Sequence, residues 1–269
     1  MQYEPIKNLL GRFFSGPLFM RKALYLFLDL LLLRTWHVKK ALKKISHEMP
    51  ADASILDAGA GLGQYTWRMS RMNRRWKITA ADINEQQVKE GNDFCSKAGI
   101  ADRVKFTTAD LTTYINPGSF NLILSVDVME HIKEDETVFR NFCSSMKETG
   151  VLLISTPSDM GGSDVHGDED DSFIDEHVRD GYNAGEIAEK LMRAGFRSVE
   201  TKYTYGKSGG ISWRLSMKYP VKMLNTSHLF FIILPFYYLI AFPVSMILNF
   251  FDLYTKHKTG TGLLVVARK

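Results

Sequence analysis

The chain has 269 residues, of which 45% are apolar and 24% are charged. A chain of this length and composition can bury one large core with an appendage, which excludes an intrinsically disordered protein and a disulfide-built mini-domain. Its two cysteines, Cys95 and Cys143, lack metal-ligand spacing, and the N-terminus does not resemble a cleavable signal. We therefore expect a reducing compartment on the cytoplasmic side.

Charge is unevenly distributed, although the net charge of +4 is too small to indicate a nucleic-acid partner. Residues 1–50 form a basic region around an apolar stretch, Leu24–Leu33, which only Asp29 interrupts. The region holds three acidic residues and nine basic ones, the latter being Lys7, Arg12, Arg21, Lys22, Arg34, Lys39, Lys40, Lys43 and Lys44. Such a helical region suits the surface of an anionic membrane, although a solvated helix packed on the core shows the same pattern.

From Ser54 onward, short apolar runs alternate with segments of helical periodicity, which predicts an α/β fold with a doubly wound, mostly parallel sheet. The predicted strands are Ser54–Ala58, Trp76–Asp82, Val104–Thr108, Phe120–Asp127, Val151–Thr156, Val199–Tyr205 and Gly262–Arg268. The predicted helices between them are Gln64–Arg71, Glu85–Ala98, Glu134–Glu148 and Ala184–Ala194. Asn84 and Asn183 precede two of these helices and are expected to cap them.

A glycine-rich turn follows the first predicted strand. Asp57 lies two residues before Gly59, and Gly61 and Gly63 continue the turn toward a helix. Glycines at these positions allow a sharp turn and let a ligand approach backbone N–H groups without a Cβ in the way. The pattern indicates a small-molecule site, although a strand-to-helix turn can require glycine for packing alone.

A second carboxylate, Asp82, ends the next strand 19 residues after Gly63. A carboxylate at this position can accept two hydrogen bonds from ribose hydroxyls. The glycine spacing differs from the G-x-G-x-x-G of dinucleotide-binding proteins, and Asp57 precedes the turn. The ligand is therefore expected to be a nucleotide-like molecule that carries a cation instead of a pyrophosphate.

These motifs resemble those of the class I S-adenosylmethionine-dependent methyltransferases, over about residues 50–205 and the last strand. The resemblance implies S-adenosyl-L-methionine as the cofactor and a Rossmann-like sheet of seven strands with an antiparallel final strand. It also implies that Asp57 binds the methionine amine and Asp82 the ribose. Ile83 would lie against the adenine, and Asp110 near the adenine amino group.

The segment after the fourth strand contains Asp127, Glu130 and His131 and resembles the D/E-x-x-E-H segment of the ubiquinone-biosynthesis O-methyltransferases. Because ligands bind beyond the carboxyl ends of the strands, these side chains are expected at the reaction cleft. Asp127 is assigned to the cofactor, and Glu130 and His131 are candidate catalytic residues. Three roles remain open for the set: ligands to a divalent cation, a metal-free pocket wall or base, or a structural role.

A further candidate base, His177, lies in the segment 158–180, which contains nine acidic residues and one arginine. Imidazole is suited to proton removal near neutral pH. A histidine in a solvated acidic surface loop is the alternative interpretation, and the loop lacks the ligand spacing of an EF-hand calcium site.

Between the sixth and seventh strands, Met223–Phe251 contains no charged residue, and Leu229–Leu248 could cross a bilayer as one helix of about 30 Å. A single crossing conflicts with pairing both strands in one soluble sheet, and the legs of a hairpin would reach only about 20 Å. Pro235 and Pro243 are expected to break the segment into helices that lie at the membrane surface. A buried helical layer or a dimer interface is the alternative.

The sequence thus predicts a membrane-associated S-adenosylmethionine-dependent methyltransferase of lipid biosynthesis, monotopic or peripheral on the cytoplasmic face. It would methylate a lipidic or membrane-partitioned small molecule at oxygen. The alternatives are N-methylation of an aminolipid or other amine, and a non-catalytic cofactor-binding membrane adaptor; no motif specifies the oligomeric state. The predicted regions are the N-terminal helical region 1–50, the methyltransferase domain 51–222, the apolar insert 223–258 and the last strand 259–269.

Overall fold

The computed structural model describes residues 17–161, 178–227 and 229–269. The chain forms two compact units. The described parts of residues 41–202 and 262–269 form the sheet unit, and those of residues 1–40 and 203–261 form the helical unit. His177 and most of the acidic segment 158–180 lie outside the described residues, so the structure does not place this candidate base.

One seven-stranded sheet has the order β3-β2-β1-β4-β5-β7-β6. The strands are β1 (Ser54–Ala58), β2 (Lys77–Asp82), β3 (Val104–Thr108), β4 (Phe120–Val126), β5 (Met146–Pro157), β6 (Ser198–Thr204) and β7 (Gly262–Arg268). The strands from β1 to β5 pair in parallel, whereas β7 is antiparallel to β5. The predicted Rossmann-like sheet with its antiparallel last strand is therefore confirmed.

The helices, in chain order, are α1 (Leu18–Leu31), α2 (Leu33–Ser46), α3 (Gln64–Met72), α4 (Glu85–Lys97), α5 (Asp135–Ser145), α6 (Ala184–Arg193), α7 (Lys207–Trp213), α8 (Tyr219–Thr226) and α9 (Phe230–Tyr254). Both predicted caps are present. The Asn84 side chain accepts from the Gln87 N–H at 3.1 Å, and the Asn183 side chain accepts from the Gly185 N–H at 2.9 Å. These bonds satisfy N–H groups that the first helical turn leaves without an intrahelical acceptor.

The predicted helix Glu134–Glu148 is too long, and the strand predicted after it is too short. Met146 continues the helical spacing of the buried residues Phe139 and Phe142, which favoured helix at that position. In the structure Met146 has extended backbone dihedral angles and pairs with Phe120 in the sheet. The contact that ends α5 is therefore a tertiary one with a strand 26 residues away, which local periodicity does not reveal.

The apolar segment between β6 and β7 also differs from the prediction. α9 is one helix of 25 residues that continues through Pro235 and Pro243, so neither proline breaks it. A proline removes one intrahelical hydrogen bond, whereas a break would leave up to four N–H and four C=O groups without partners. Among the described residues, α9 is the one helix that is long and apolar enough to cross a membrane.

The helical part of this segment starts at Lys207, well before the predicted start of the insert at residue 223. α7 and α8 are joined by a π-helical turn, Arg214–Lys218. In a π-helix, each carbonyl accepts from the N–H five residues later. Pro220 has no N–H, so the carbonyl of Leu215 lacks a donor within the helix. The Tyr237 hydroxyl of α9 donates to that carbonyl at 2.8 Å and thereby ties α9 to the turn.

Candidate active site

The glycine-rich turn between β1 and α3 is held against the end of β2. The N–H groups of Gly59 and Ala60 both donate to the carbonyl of Ala81, at 2.8 and 3.0 Å. Gly59, Gly61 and Gly63 all have positive φ, which side chains other than glycine rarely adopt. The turn therefore has a conformation that requires these three glycines.

Gly59 is required for packing as well as for conformation. A Cβ at this position would lie 2.3 Å from Cγ2 of Val128, a residue in the turn that follows β4. The loops at the carboxyl ends of β1 and β4 thus approach each other at van der Waals distance, as expected where ligands bind in doubly wound sheets.

Asp57, near the end of β1, is a buried carboxylate with 3% exposure. Thr66 of α3 donates its hydroxyl hydrogen to Asp57 Oδ2 at 2.5 Å. Burial raises the pKa of Asp57 to about 7, the negative charge of Asp82 acts in the same direction, and the Thr66 hydrogen bond opposes both. A carboxylate whose ionised form is costly for lack of a compensating charge is suited to bind a cationic group of a ligand.

Asp82, at the end of β2, accepts hydrogen bonds from the glycine-rich turn and from the residue that caps α4. Its Oδ2 accepts from the Gly61 N–H at 2.7 Å, and its Oδ1 accepts from the Asn84 N–H at 2.9 Å. Each oxygen of a carboxylate has a second lone pair, so both can still accept from ligand hydroxyls. The adjacent Ile83 is 72% exposed, which places an apolar side chain beside the carboxylate.

The other two acids assigned to the cofactor lie after β3 and β4. Asp110 is exposed and accepts from the hydroxyl and the N–H of Thr112, and these bonds lower the pKa of Asp110. Asp127 is half-buried, has a φ of 52°, and donates its N–H to the Ser155 carbonyl at 2.8 Å. This left-handed residue ends β4 one residue earlier than predicted and turns the chain toward His131.

Glu130 and His131 differ in environment, although they are adjacent in a 3₁₀ turn. Glu130 has 1% exposure and accepts from the Thr156 hydroxyl of β5 at 3.0 Å, whereas His131 is exposed. No cluster of three His, Cys, Asp or Glu residues among the described parts of the chain could hold a metal ion. The suggested metal set of Asp127, Glu130 and His131 is therefore not assembled, because Glu130 is packed against the sheet while His131 faces outward.

A polar network that the sequence analysis missed supports this turn. The Tyr182 hydroxyl oxygen lies 3.1 Å from the Met129 carbonyl oxygen, and Arg179 donates to the Ile132 carbonyl at 2.6 Å. Asp135 joins the network by accepting from Tyr182 and from Lys190, both at 2.8 Å. Burial alone would raise the pKa of Asp135, but the Lys190 and Tyr182 bonds and the nearby positive charges lower it.

This network holds the backbone on either side of His131, the residue that carries the exposed imidazole. Its contacts connect residues 129–135 with Arg179, Tyr182 and Lys190, across 44 to 55 residues of the chain. No local motif connects them, which explains why the sequence did not reveal the network.

Residues 50–202 match a family model described as a methyltransferase domain. The chain belongs to this family. It is 26% identical over 106 residues to a ubiquinone biosynthesis O-methyltransferase of Xanthomonas euvesicatoria pv. vesicatoria, an alignment that covers 39% of this chain and 44% of that protein. It is 30% identical over 101 residues to the (S)-coclaurine N-methyltransferase of Thalictrum flavum subsp. glaucum, with 38% and 28% covered. The alignments thus cover less than half of these curated relatives.

Solved structures share the fold of this methyltransferase. A phosphoethanolamine N-methyltransferase 2 of Haemonchus contortus, in complex with S-adenosyl-L-methionine, has a TM-score of 0.62 at 19% identity, covering 87% of this chain and 52% of that one. A sarcosine dimethylglycine methyltransferase of Galdieria sulphuraria has a TM-score of 0.57 at 18% identity, with 87% and 83% covered. The class I S-adenosylmethionine-dependent methyltransferase inferred from the motifs is therefore confirmed, and the non-catalytic adaptor is not supported.

The residues of this methyltransferase fit its cofactor. The buried carboxylate of Asp57 suits the ammonium group of the methionine part, and Asp82 has lone pairs to accept from the ribose hydroxyls. The bound cofactor supplies a methyl group already activated by a sulfonium. The chain's own residues then have to align the acceptor, exclude water and, for an acceptor with a proton to lose, remove it.

Proposed function

We propose that this methyltransferase is associated with a membrane and transfers the methyl group to an oxygen atom of a lipidic or membrane-partitioned acceptor. The supporting observation is the distribution of side chains in the helical unit. In α1 and α9 many large apolar side chains are exposed while several polar side chains are buried, the reverse of the usual pattern in a soluble protein.

α9 exposes large apolar side chains along its whole length and buries polar side chains in its C-terminal half. Its exposed large apolar residues are Phe231, Ile232, Ile233, Phe236, Leu239, Ile240, Val244, Ile247, Phe250, Phe251 and Tyr254. Its buried residues include the polar Ser245, Asn249 and Asp252, exposed by 3%, 1% and 0%. A continuous apolar surface of this extent on a helix indicates contact with lipid or a protein partner, and inward-facing polar groups are typical of helices in an apolar medium.

α1 repeats the same distribution. Phe19, Leu26 and Phe27 are exposed, whereas Arg21 and Asp29 are buried. Arg21 donates to the Tyr25 hydroxyl at 2.7 Å, and the carboxylate of Asp29 lies 3.2 Å from the ammonium of Lys39. Arg21 was expected to face anionic lipid, but its burial assigns it to the interior of the unit.

The exposed face of α9 is proposed to lie in one leaflet. Because α9 and the run from α7 to α8 lie between two strands of one sheet, a crossing by α9 would require a second crossing by residues 207–226. That run contains Arg214 and Lys218 near its middle, and each would cost about 2.5–3.5 kcal/mol at the centre of a bilayer. A monotopic arrangement avoids this cost.

Transfer to oxygen is proposed because the exposed His131 could take the proton of an acceptor hydroxyl. Imidazole accepts protons near neutral pH, and the network around Tyr182 holds the turn that presents it. N-methylation of an aminolipid or other amine is the second candidate, since one relative at 30% identity is an N-methyltransferase. Both reactions need the same cofactor site.

The proposal is tested by incubating the full-length protein with methyl-labelled cofactor and a membrane lipid extract. We expect label in the organic phase, and mass spectrometry of the product then identifies the methylated atom. The Asp57→Asn variant is the matched control and is expected to transfer no label. Label found only in water-soluble amines, with no effect of added lipid, would contradict the proposal.

A further inference from the structure

The described residues of the helical unit have a strong excess of positive charge. They contain eleven Lys and Arg residues against two Asp residues, a net charge of +9. Both acids are buried and paired, Asp29 with Lys39 at 3.2 Å and Asp252 with His37 at 2.9 Å. The described residues of this unit therefore include no exposed carboxylate.

Four of the basic residues form one row. Lys207, Arg214, Lys218 and Lys222 are spaced by seven, four and four residues along the helical run 207–226, which places them on one side of it. Three of them are exposed, and Lys218 is half-buried. We call these four residues the basic row.

Apolar side chains accompany the basic row on the same helical run. Ile211 and Tyr219 are 48% and 44% exposed. Exposed apolar side chains beside a row of Lys and Arg are typical of helices that lie in the headgroup region of a bilayer.

We propose that the basic row binds the phosphate groups of anionic phospholipids, so that the helical unit docks preferentially on an anionic leaflet. This inference rests on the membrane association proposed above and adds the chemistry of the lipid. Charge complementarity favours this occupant over a second copy of the chain, because two copies of the same basic surface would repel each other. A nucleic acid bound to the basic row would leave the exposed apolar face of α9 in contact with water.

The test measures flotation of the full-length protein with vesicles of phosphatidylcholine alone and of phosphatidylcholine mixed with phosphatidylglycerol. We expect binding to both and tighter binding to the anionic vesicles. Each Lys or Arg near an anionic surface raises the affinity for that surface about fivefold. The variant with Lys207, Arg214, Lys218 and Lys222 all changed to Gln should therefore lose several hundredfold of its affinity for anionic vesicles and none for phosphatidylcholine.

A matched control carries four charge removals in the sheet unit, at the exposed residues Arg74, Arg75, Lys77 and Lys97. This control should retain the anionic preference, and both variants should bind the cofactor as wild type does. A salt titration of the wild type gives a second measurement that needs no variant: added NaCl should weaken binding to anionic vesicles and leave binding to phosphatidylcholine unchanged.

Equal binding of the wild type to both kinds of vesicle would overturn this inference while leaving membrane association intact. The same conclusion follows if the variant of the basic row keeps the full anionic preference. A wild-type protein that binds neither vesicle and behaves as a soluble dimer would instead contradict the proposed membrane association itself.

Discussion

Replacement of Asp57 by Asn should stabilise the cofactor-free protein in neutral and alkaline solution. The pKa of this buried carboxyl rises from its ordinary value of 3.8 to about 7 on folding. Between these two pH values the folded chain keeps a proton that the unfolded chain releases, so the ionised group destabilises the fold increasingly from about pH 4 to pH 7. Above pH 7 the penalty is constant.

The magnitude follows from the shift of about three pKa units. At 1.36 kcal/mol per unit, the ionised Asp57 costs about 4 kcal/mol above pH 7 and about two fifths of that at pH 5. Asn has the same shape without the charge and can still accept from the Thr66 hydroxyl. With about 2–4 °C per kcal/mol for a chain of this size, the variant should melt about 8–16 °C higher at pH 8.

Thermal unfolding at pH 5 and pH 8, with and without cofactor, checks this prediction. The cofactor should stabilise the wild type strongly at pH 8, because its ammonium compensates the carboxylate, and should stabilise Asp57→Asn far less. The exposed Asp93 gives a matched control, since Asp93→Asn should leave the melting temperature unchanged at both pH values. If Asp57→Asn is no more stable than wild type at pH 8, or if its gain is the same at both pH values, the raised pKa of Asp57 is contradicted.

Three further substitutions separate the roles of the site residues. Asp82→Ala should weaken cofactor binding at least about tenfold by calorimetry, because hydrogen bonds to a charged group contribute about 1.5–3 kcal/mol each; unchanged affinity would remove the residue from the cofactor site. Gly59→Ala should lose cofactor binding because the added Cβ meets Val128. Gly99 has a similar positive φ and no atom within 4 Å of an added Cβ, so Gly99→Ala should lower the free energy of unfolding by only about 1 kcal/mol. His131→Ala should lower kcat far more than cofactor affinity, and equal losses in both would contradict its place on the acceptor side.

The parts of the site that the sequence predicted correctly depend on short-range constraints. The positive φ angles of Gly59, Gly61 and Gly63, and the caps at Asn84 and Asn183, follow from residues only a few positions apart. Such constraints are set by local sterics and hydrogen bonding, and they leave a recognisable pattern in the sequence.

The features that the sequence did not predict depend on partners far away in the chain. Glu130 was expected at the cleft, and in the structure its carboxylate is buried and accepts from the Thr156 hydroxyl, 26 residues away on β5. α9 was expected to break at two prolines, yet the hydroxyls of Tyr237 and Tyr238 hold it against the turn 214–218. In each case tertiary contacts outweigh the local preference.

Methyl transfer to an acceptor that resides in a membrane is tested with a variant of the exposed α9 face. Phe236, Leu239 and Ile240 are changed to Ser together, and transfer of labelled methyl from the cofactor into vesicle lipid is measured. Each large apolar side chain removed from lipid contributes about 1.5–3 kcal/mol, so transfer into vesicle lipid should fall on the order of tenfold or more while cofactor affinity stays the same. Ile115→Ser in the sheet unit, also at an exposed position, should behave as wild type. If the triple variant methylates vesicle lipid as fast as wild type does, the proposal is contradicted.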